Sequence, residues 1–324
     1  LSAARPLAVG VDLGGTKIYT ALSTPVGDVL ADDRRPTEGE LGPDGVIERI
    51  AASAKAVLAT AGVAAADIAG VGLSSPGPLD NERGVVTDAA NLPGWHNVPL
   101  AARISDALGV PALLENDADA AAWGEHLFGV AKGLQHVVLV TLGTGIGGGL
   151  VLDGRIYRGA SGAAGEVGHM TVNPDGPPCG CGAGRGHLEA LASGRAFERA
   201  AAAAIERGES ELLARPAKDE GPSAKAVGLA AAQGDPVAQR MIEEAGHWLG
   251  VGLASLVNIF NPQAVVLRGG LMNLGERYLG PARRLAREGA FPQSARDAQV
   301  LDGTLGDRAG ALGAAALMLS ARER

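Results

Sequence analysis

Aromatic residues are scarce in this chain. Four Phe, three Trp and three Tyr serve 324 residues, so the core has to be built mostly from aliphatic side chains. Cysteine is nearly absent. With only two, no disulfide framework holds the fold, and a reducing, cytoplasmic setting is expected. No basic tract stands out and the net charge is −8, which argues against a nucleic-acid surface. The opening stretch LSAARPLAVG has no apolar h-region, so no secretory signal is expected. The best apolar run, 248–260, is too short to span a bilayer. The length suits one large domain or two medium ones.

Residues 137–189 hold a glycine-rich turn, both cysteines and several His and Glu residues. The β-branched run 137–141 reads as a buried strand. Gly143, Gly145, Gly147, Gly148 and Gly149 follow, and strand character resumes at 150–152. Glycines let backbone N–H groups approach a ligand closely, and clustered N–H groups suit phosphate oxygens; Thr144 adds a hydroxyl. The spacing formally matches GxGxxG, but a dinucleotide site needs a helix after the glycines. Here 150–157 reads strand, Asp153-Gly154 turn, strand. An ordinary glycine-rich hairpin is the plain alternative.

His169, Cys179, Cys181 and His187 supply two imidazoles and two thiolates, the ligand set of a tetrahedral structural zinc. The Pro- and Gly-rich segment 173–178 between them has no core of its own. A disulfide between Cys179 and Cys181 is strained at that spacing. C-x-C alone also fits two free buried thiols.

The N-terminal strand 7–13 runs into Asp12-Leu13-Gly14-Gly15-Thr16-Lys17, and a strand resumes at 18–22. Shifted along the chain, Val9, Val11, Leu13 and Gly14 fall on Val138, Val140, Leu142 and Gly143. This reads as an internal duplication. Two hairpins facing each other across a cleft suit a polyphosphate. Lys17 and Thr16 bring a cation and a hydroxyl, and Asp12 suits Mg²⁺.

Apolar spacing predicts helices over 44–61, 100–108, 191–207, 223–232, 237–258 and 310–322, with strands at 68–73, 111–114 and 264–267. The breaker-rich 74–80 reads as a loop at a strand's C-terminal end, where open α/β sheets keep ligands. Residues 208–220 read as a polar connection. Arg268-Gly269-Gly270 closes a strand and suits a flat or phosphorylated ligand. Strand 111–114 leads into Glu115-Asn116-Asp117 and a helix over 118–128. Asn116 or Asp117 is thus an N-cap. The positive helix end also keeps Asp117 ionised, as a general base requires.

Together these motifs resemble the ROK family of sugar kinases and sugar-responsive repressors, over residues 9–317. Asp12 to Thr16 resembles its first phosphate motif and 142–169 its glycine-spaced signature. His169 with the Cys-Gly-Cys-Gly run resembles its zinc motif, Glu115-Asn116-Asp117 its catalytic motif and Arg268-Gly269-Gly270 its adenosine-side glycines. Two departures are present. The family usually has Cys-x-Glu where this chain has His187-Leu188-Glu189, one residue further on, and histidine is a competent zinc ligand. Arg268 stands where the family often has the first of three glycines.

The resemblance implies an α/β, actin-like and hexokinase-like duplicated fold. A small lobe of 1–114 plus 303–324 and a large lobe of 115–302, carrying the zinc loop, would flank a cleft. It also implies phosphorylation of a hexose by ATP with Mg²⁺. Asp117 would take the proton from the sugar hydroxyl. Asn116, Glu166, His169 and Glu189 would bind sugar hydroxyls, with Gly77 lining the pocket. Gly14, Gly15, Thr16, Lys17, Gly143, Thr144, Gly145, Gly269 and Gly270 would hold the nucleotide. His169 would ligate Zn²⁺ as well. Residues 91–95 and 165–172 look most like the glucose-phosphorylating bacterial members, so the 6-hydroxyl of glucose is expected. Fructose, mannose or an N-acetylated hexosamine are the rivals. A repressor of the family carries a helix-turn-helix domain before the first phosphate motif. With Asp12 near the start of this sequence, none is expected. A non-catalytic sugar-binding protein would not need both Asp117 and the phosphate turns. A homodimer or higher homo-oligomer is expected, with no nucleic-acid or membrane partner.

Overall fold

A computed structural model describes residues 6–89 and 92–321. In its first part, strands β1 (Leu7–Leu13), β2 (Lys17–Ser23) and β3 (Val29–Pro36) precede helix α1 (Gly42–Ala61). Strand β4 (Ile68–Ser75) follows. Short strands β5 (Leu79–Asp80), β6 (Val85–Asp88) and β7 (His96–Val98) then lead to α2 (Leu100–Leu108), β8 (Ala112–Asn116) and α3 (Asp117–Phe128). The middle of the chain supplies β9 (Val137–Leu142), β10 (Ile146–Leu152) and β11 (Arg155–Ile156). Helices dominate afterwards: α4 (Leu188–Ala192), α5 (Gly194–Glu206), α6 (Glu211–Glu220), α7 (Ala224–Ala232) and α8 (Pro236–Phe260). The chain continues with β12 (Ala264–Arg268), α9 (Glu276–Glu288), α10 (Pro292–Asp297), β13 (Gln299–Asp302) and α11 (Ala309–Ala321).

Two five-stranded sheets share one plan. The first has the order β3-β2-β1-β4-β8 and the second β11-β10-β9-β12-β13. In the first, β1 pairs antiparallel with β2 and parallel with β4, and β4 pairs parallel with β8. In the second, β9 runs parallel to β12, and β12 to β13. The same hairpin-then-parallel order in both sheets is what an ancestral duplication leaves behind. A third, three-stranded sheet has the order β5-β6-β7.

Contacts divide the chain into two compact units. One runs through Gln135 and includes Gly149–Ala164 and the chain from Gly303 on; the other is His136–Gly148 with Gly165–Asp302. The lobes expected from the sequence differ from these units in the placement of 115–135 and 149–164. Helix α3 sits with the first unit because it packs against α11. A Cβ on Gly313 of α11 would overlap the carbonyl oxygen of Ala120, and one on Gly124 of α3 would overlap that of Ala309. Helix α11 also lies hard on the first sheet, where a Cβ on Gly10 or Gly72 would overlap the carbonyl oxygens of Ala311 and Ala314. Its sequence AGALGAAALMLSA is apolar all round, and it is buried from Ala309 through Ala316, as a helix without a polar face must be. Beneath the first sheet, Val9, Val11, Ile50, Leu73, Trp95 and Ile104 form a core with almost no exposure.

Three local expectations change. Residues expected as a polar connection form helix α6. Ser210 caps it by accepting from Leu213 N–H (2.9 Å) and also bonds Asp235, while Leu213 is fully buried. One buried leucine among charged residues is too sparse a pattern for periodicity to register. The helix expected over 191–207 is broken at Ser193, whose hydroxyl caps α5 through Ala196 N–H. The loop expected over 74–80 keeps strand structure to Ser75 and again at Leu79–Asp80. Asn91 of the 91–95 motif lies outside the described residues; Trp95 is fully buried.

Candidate active site

In the first unit, three neighbouring parallel strands bring chemistry to their C-terminal ends. The register sets Asp12 of β1 beside Ser74 of β4, Ser74 beside Glu115 of β8, and Ser75 beside Asn116. Ser74 donates its hydroxyl to Asp12 Oδ1 (2.9 Å). Gly310, at the start of α11, lies so close that a Cβ there would come within 2.7 Å of the Asp12 carboxyl carbon. The phosphate-type turn after β1 closes through Gly14 N–H to the Lys17 carbonyl (2.9 Å). Thr37 pins it, donating its hydroxyl to the Gly14 carbonyl (2.7 Å) and its N–H to the Thr16 carbonyl (3.0 Å). Lys17 Nζ pairs with Asp307 at 2.6 Å, both about half exposed, so Lys17 is held in place without being buried. Gly77 follows the end of β4.

Strand β8 hands over directly to α3. Asn116 is the N-cap, in extended conformation, and its Oδ1 accepts from Ala118 N–H (2.9 Å) and Asp119 N–H (3.2 Å). Asp117 opens the helix, with Oδ1 accepting from Ala118 N–H (2.8 Å). The sequence left the cap to either residue, and the structure gives it to Asn116. Asp117 is half-buried at the positive end of a twelve-residue helix, where a carboxylate is favoured.

Glu115, one residue earlier, is 2% exposed. Its Oε1 accepts from Asn116 N–H (3.0 Å) and Asn81 Nδ2 (2.5 Å). Its Oε2 takes the Arg158 guanidinium through Nε (3.0 Å) and Nη2. Asp119, also 2% exposed, has one carboxyl oxygen without a partner. Burial first, then the neighbouring Glu115 charge, pushes its pKa up to about 8; Arg158 and the Leu150 N–H oppose this, and Asp117 adds to it. Sequence reasoning named Glu115 only within the Glu115-Asn116-Asp117 motif, and it assigned no role to Asn81, Asp119 or Arg158. Arg158 is a lone arginine in a loop, and no local pattern ties it to a residue 43 positions away.

In the second unit, the turn Gly143-Thr144-Gly145 joins β9 to β10 and rests on α5. Gly194 N–H donates to the Gly143 carbonyl (2.9 Å) and Arg195 N–H to the Thr144 carbonyl (3.1 Å). Gly269 adopts φ +113°, and a Cβ there would overlap the Leu142 carbonyl oxygen. The Gly269-Gly270 turn therefore lies against the start of the Gly143–Gly145 turn, and at position 269 only glycine fits. Glu189 Oε2 accepts from Ile146 N–H (2.9 Å). Gly168 packs on the other side of that residue, where a Cβ would overlap the Ile146 carbonyl oxygen. Residues Val167–His169 form a single 3-10 turn. Glu189 and the Glu166–His169 segment are thus gathered around Ile146. Exposed Glu166 places Oε2 3.8 Å from His169 Nε2.

The other face of His169 meets the sulfur ligands. His169 Nδ1 lies 3.7 Å from Cys179 Sγ, and His187 Nδ1 3.6 Å from Cys181 Sγ. All four ligand atoms fall within 4.8 Å of one another. A zinc tetrahedron with ordinary Zn–S and Zn–N lengths has an S···N edge of about 3.6 Å, so the donor set and its spacing fit that ion. Burial raises the Cys179 thiol above its ordinary pKa. Cys179 N–H bonds the Gly184 carbonyl (2.8 Å) and Val172 N–H the Gly186 carbonyl (2.9 Å), closing the loop around the four ligands.

The chain belongs to the ROK family, whose model matches residues 8–321. It is 38% identical over 316 residues to a glucokinase of Streptomyces coelicolor, covering 96% of this chain and 97% of that one. The crystal structure of a ROK family glucokinase from Streptomyces griseus in complex with glucose and AMPPNP superposes with a TM-score of 0.80 at 38% identity, over 96% of this chain and 98% of that one. A ROK hexokinase structure from Thermus thermophilus gives the same score and identity over 98% and 100%. The fold is the duplicated α/β fold of these sugar kinases. Among the described residues no helix is long and apolar enough to cross a membrane.

Proposed function

We infer that the protein is an ATP-dependent glucokinase that phosphorylates the 6-hydroxyl of glucose. The observation that carries this reading is Asp117, a carboxylate at the end of a parallel strand and on the first turn of α3, oriented by the Ala118 N–H. Phosphoryl transfer asks little covalent chemistry of the protein: it needs positioned phosphates, an oriented hydroxyl and a group to accept its proton. Asp117 accepts the proton. Asn116, fixed by its cap bonds, together with Gly77, Glu166, His169 and Glu189, serves the sugar hydroxyls. The turns at Gly14–Lys17, Gly143–Gly145 and Gly269–Gly270 serve the nucleotide. Asp12 is the residue suited to Mg²⁺, which neutralises phosphate charge when bound. Zn²⁺ belongs at His169, Cys179, Cys181 and His187, where it would fix the His169 ring through Nδ1 and leave Nε2 for the sugar. The protein acts in the cytoplasm as a homodimer or higher homo-oligomer.

A coupled assay across glucose, fructose, mannose and N-acetylated hexosamines, with ATP and with polyphosphate, tests the substrate. Glucose with ATP should give the highest kcat/KM. Asp117→Asn should lower kcat by ~10²–10⁴-fold, the usual share of general-base catalysis, while glucose still binds by calorimetry. Because Asn116 is the cap, thermal stability should barely move. A stable variant with near wild-type turnover would reject Asp117 as the base.

A further inference from the structure

Glu115 is a buried carboxylate that belongs to neither the core nor the substrate groups. Four donor atoms converge on it: Asn81 Nδ2, Asn116 N–H, and Nε and Nη2 of Arg158. They come from three separate segments: the β5–β6 connection, the end of β8, and the stretch after β11. The pair is buried on the Glu115 side only, Arg158 being 39% exposed. Taking a carboxylate out of water costs desolvation that such a pair recovers only in part, so its placement calls for another account. One bond of the four acts on the candidate base. The Asn116 N–H is held by Glu115 Oε1, which fixes the rotation of the peptide just before Asn116. Asn116 then caps α3, and Asp117 is the next residue. Orientation set at Glu115 therefore passes through two consecutive residues into the Asp117 carboxylate.

We propose that Glu115 and Arg158 form a positioning pair that holds Asn116 and Asp117 in the geometry for proton transfer. The proposal rests on the reading of Asp117 as the base of a sugar kinase. Arg158 supplies what a lysine cannot, a planar fork that engages one carboxylate oxygen through two nitrogens and so fixes direction as well as charge. Asn81 holds the other oxygen, so the carboxylate cannot turn about its own bond. Arg158 also borders two open grooves, of about 680 Å³ and 480 Å³. The first is walled by Asn81, Leu113, Glu115 and Trp123, the second by Asp80 and Gly159–Gly162. A guanidinium ion from solution can therefore reach the place that a truncated Arg158 leaves.

The test uses the full chain. Wild-type turnover of glucose is measured first; its absence would overturn the kinase reading and this proposal with it. Arg158→Ala should lower kcat roughly 10- to 100-fold, the cost of a misplacement of about an ångström, with KM for ATP nearly unchanged. Guanidinium chloride at low, non-denaturing concentration should restore kcat several-fold, and sodium chloride at equal ionic strength should not. The double variant Glu115→Gln/Arg158→Ala should show no rescue, since no carboxylate remains to bind the ion. Arg158→Lys, which keeps the charge, should fold and still lose kcat. Wild-type kcat in either single variant overturns the pair while leaving the kinase reading intact. So does a loss that tracks the folded fraction by circular dichroism and is not rescued.

Discussion

At the scale of single residues, Asp119 carries a consequence for stability. Its carboxyl titrates at 3.8 when unperturbed and is raised to about 8 in the fold. Between those values the unfolded chain has released a proton that the folded chain still holds, so stability falls as pH rises through this window. The groups around it are Glu115 and Asp117, which add to the rise, and Arg158 and the Leu150 N–H, which oppose it. Asp119→Asn removes the titration. Denaturant unfolding at a series of pH values should show the variant gaining on the wild type from pH 5 to 8 by roughly a few kcal/mol, then levelling off. A difference that stays flat with pH would mean that Asp119 is ionised in the fold. None of this was legible beforehand, because Asp119 reads as one more polar residue on the first turn of a helix. Asn116 and Asp117 were legible, since a strand ending in Asn-Asp before an alanine-rich run is itself a cap pattern.

Elements were legible where pattern and punctuation agree. The two hairpins announce themselves because β-branched runs end at glycines, and the sheets carry the same strand order around them. Helix α6 escaped because its burial rests on Leu213 and a serine cap. The four-ligand loop was read from its ligand set, from the coreless segment 173–178 and from its likeness to the family's zinc motif, and the structure adds the spacing of those ligands. Elemental analysis should find one equivalent of zinc in the protein. Cys179→Ser should lose it, with a lower Tm and faster proteolysis across 173–187, since a structural zinc contributes folding energy directly. Zinc-free protein with full activity would leave the cysteines as structural thiols. Helix α11 offers a second test at this scale. Gly313→Ala drives a methyl into the Ala120 carbonyl, and overpacking of this kind costs about 1–3 kcal/mol or more. A lowered midpoint in denaturant is the expected result, and an unchanged one would show that α3 and α11 have room to part.

For the whole molecule, the acidic balance bears on nucleic-acid binding. A net charge of −8 opposes association with a polyanion. At physiological salt the protein should not retard duplex DNA in a gel, with or without glucose. A glucose-sensitive shift would move the reading toward a regulator. The duplication was visible at this scale because Val9, Val11, Leu13 and Gly14 fall on Val138, Val140, Leu142 and Gly143. The grouping of 115–135 with the first unit was not, because it depends on contacts between α3 and a helix from the far end of the chain.

That helix has a bearing on how the protein is made. The strands of the first sheet leave the ribosome early, but α11, which seats itself on Gly10 and Gly72 through its backbone, is translated only after β13. Nascent chains usually fold from the N-terminus forward. Here the later-translated segment from Gly165 to Asp302 has all its residues before the earlier strands receive their cover. Until then one face of that sheet, including Ala8 and Ala69, lacks its partner. A stop codon ahead of residue 309 should therefore yield aggregate rather than a slightly shortened enzyme, even though every proposed substrate-binding residue would still be present.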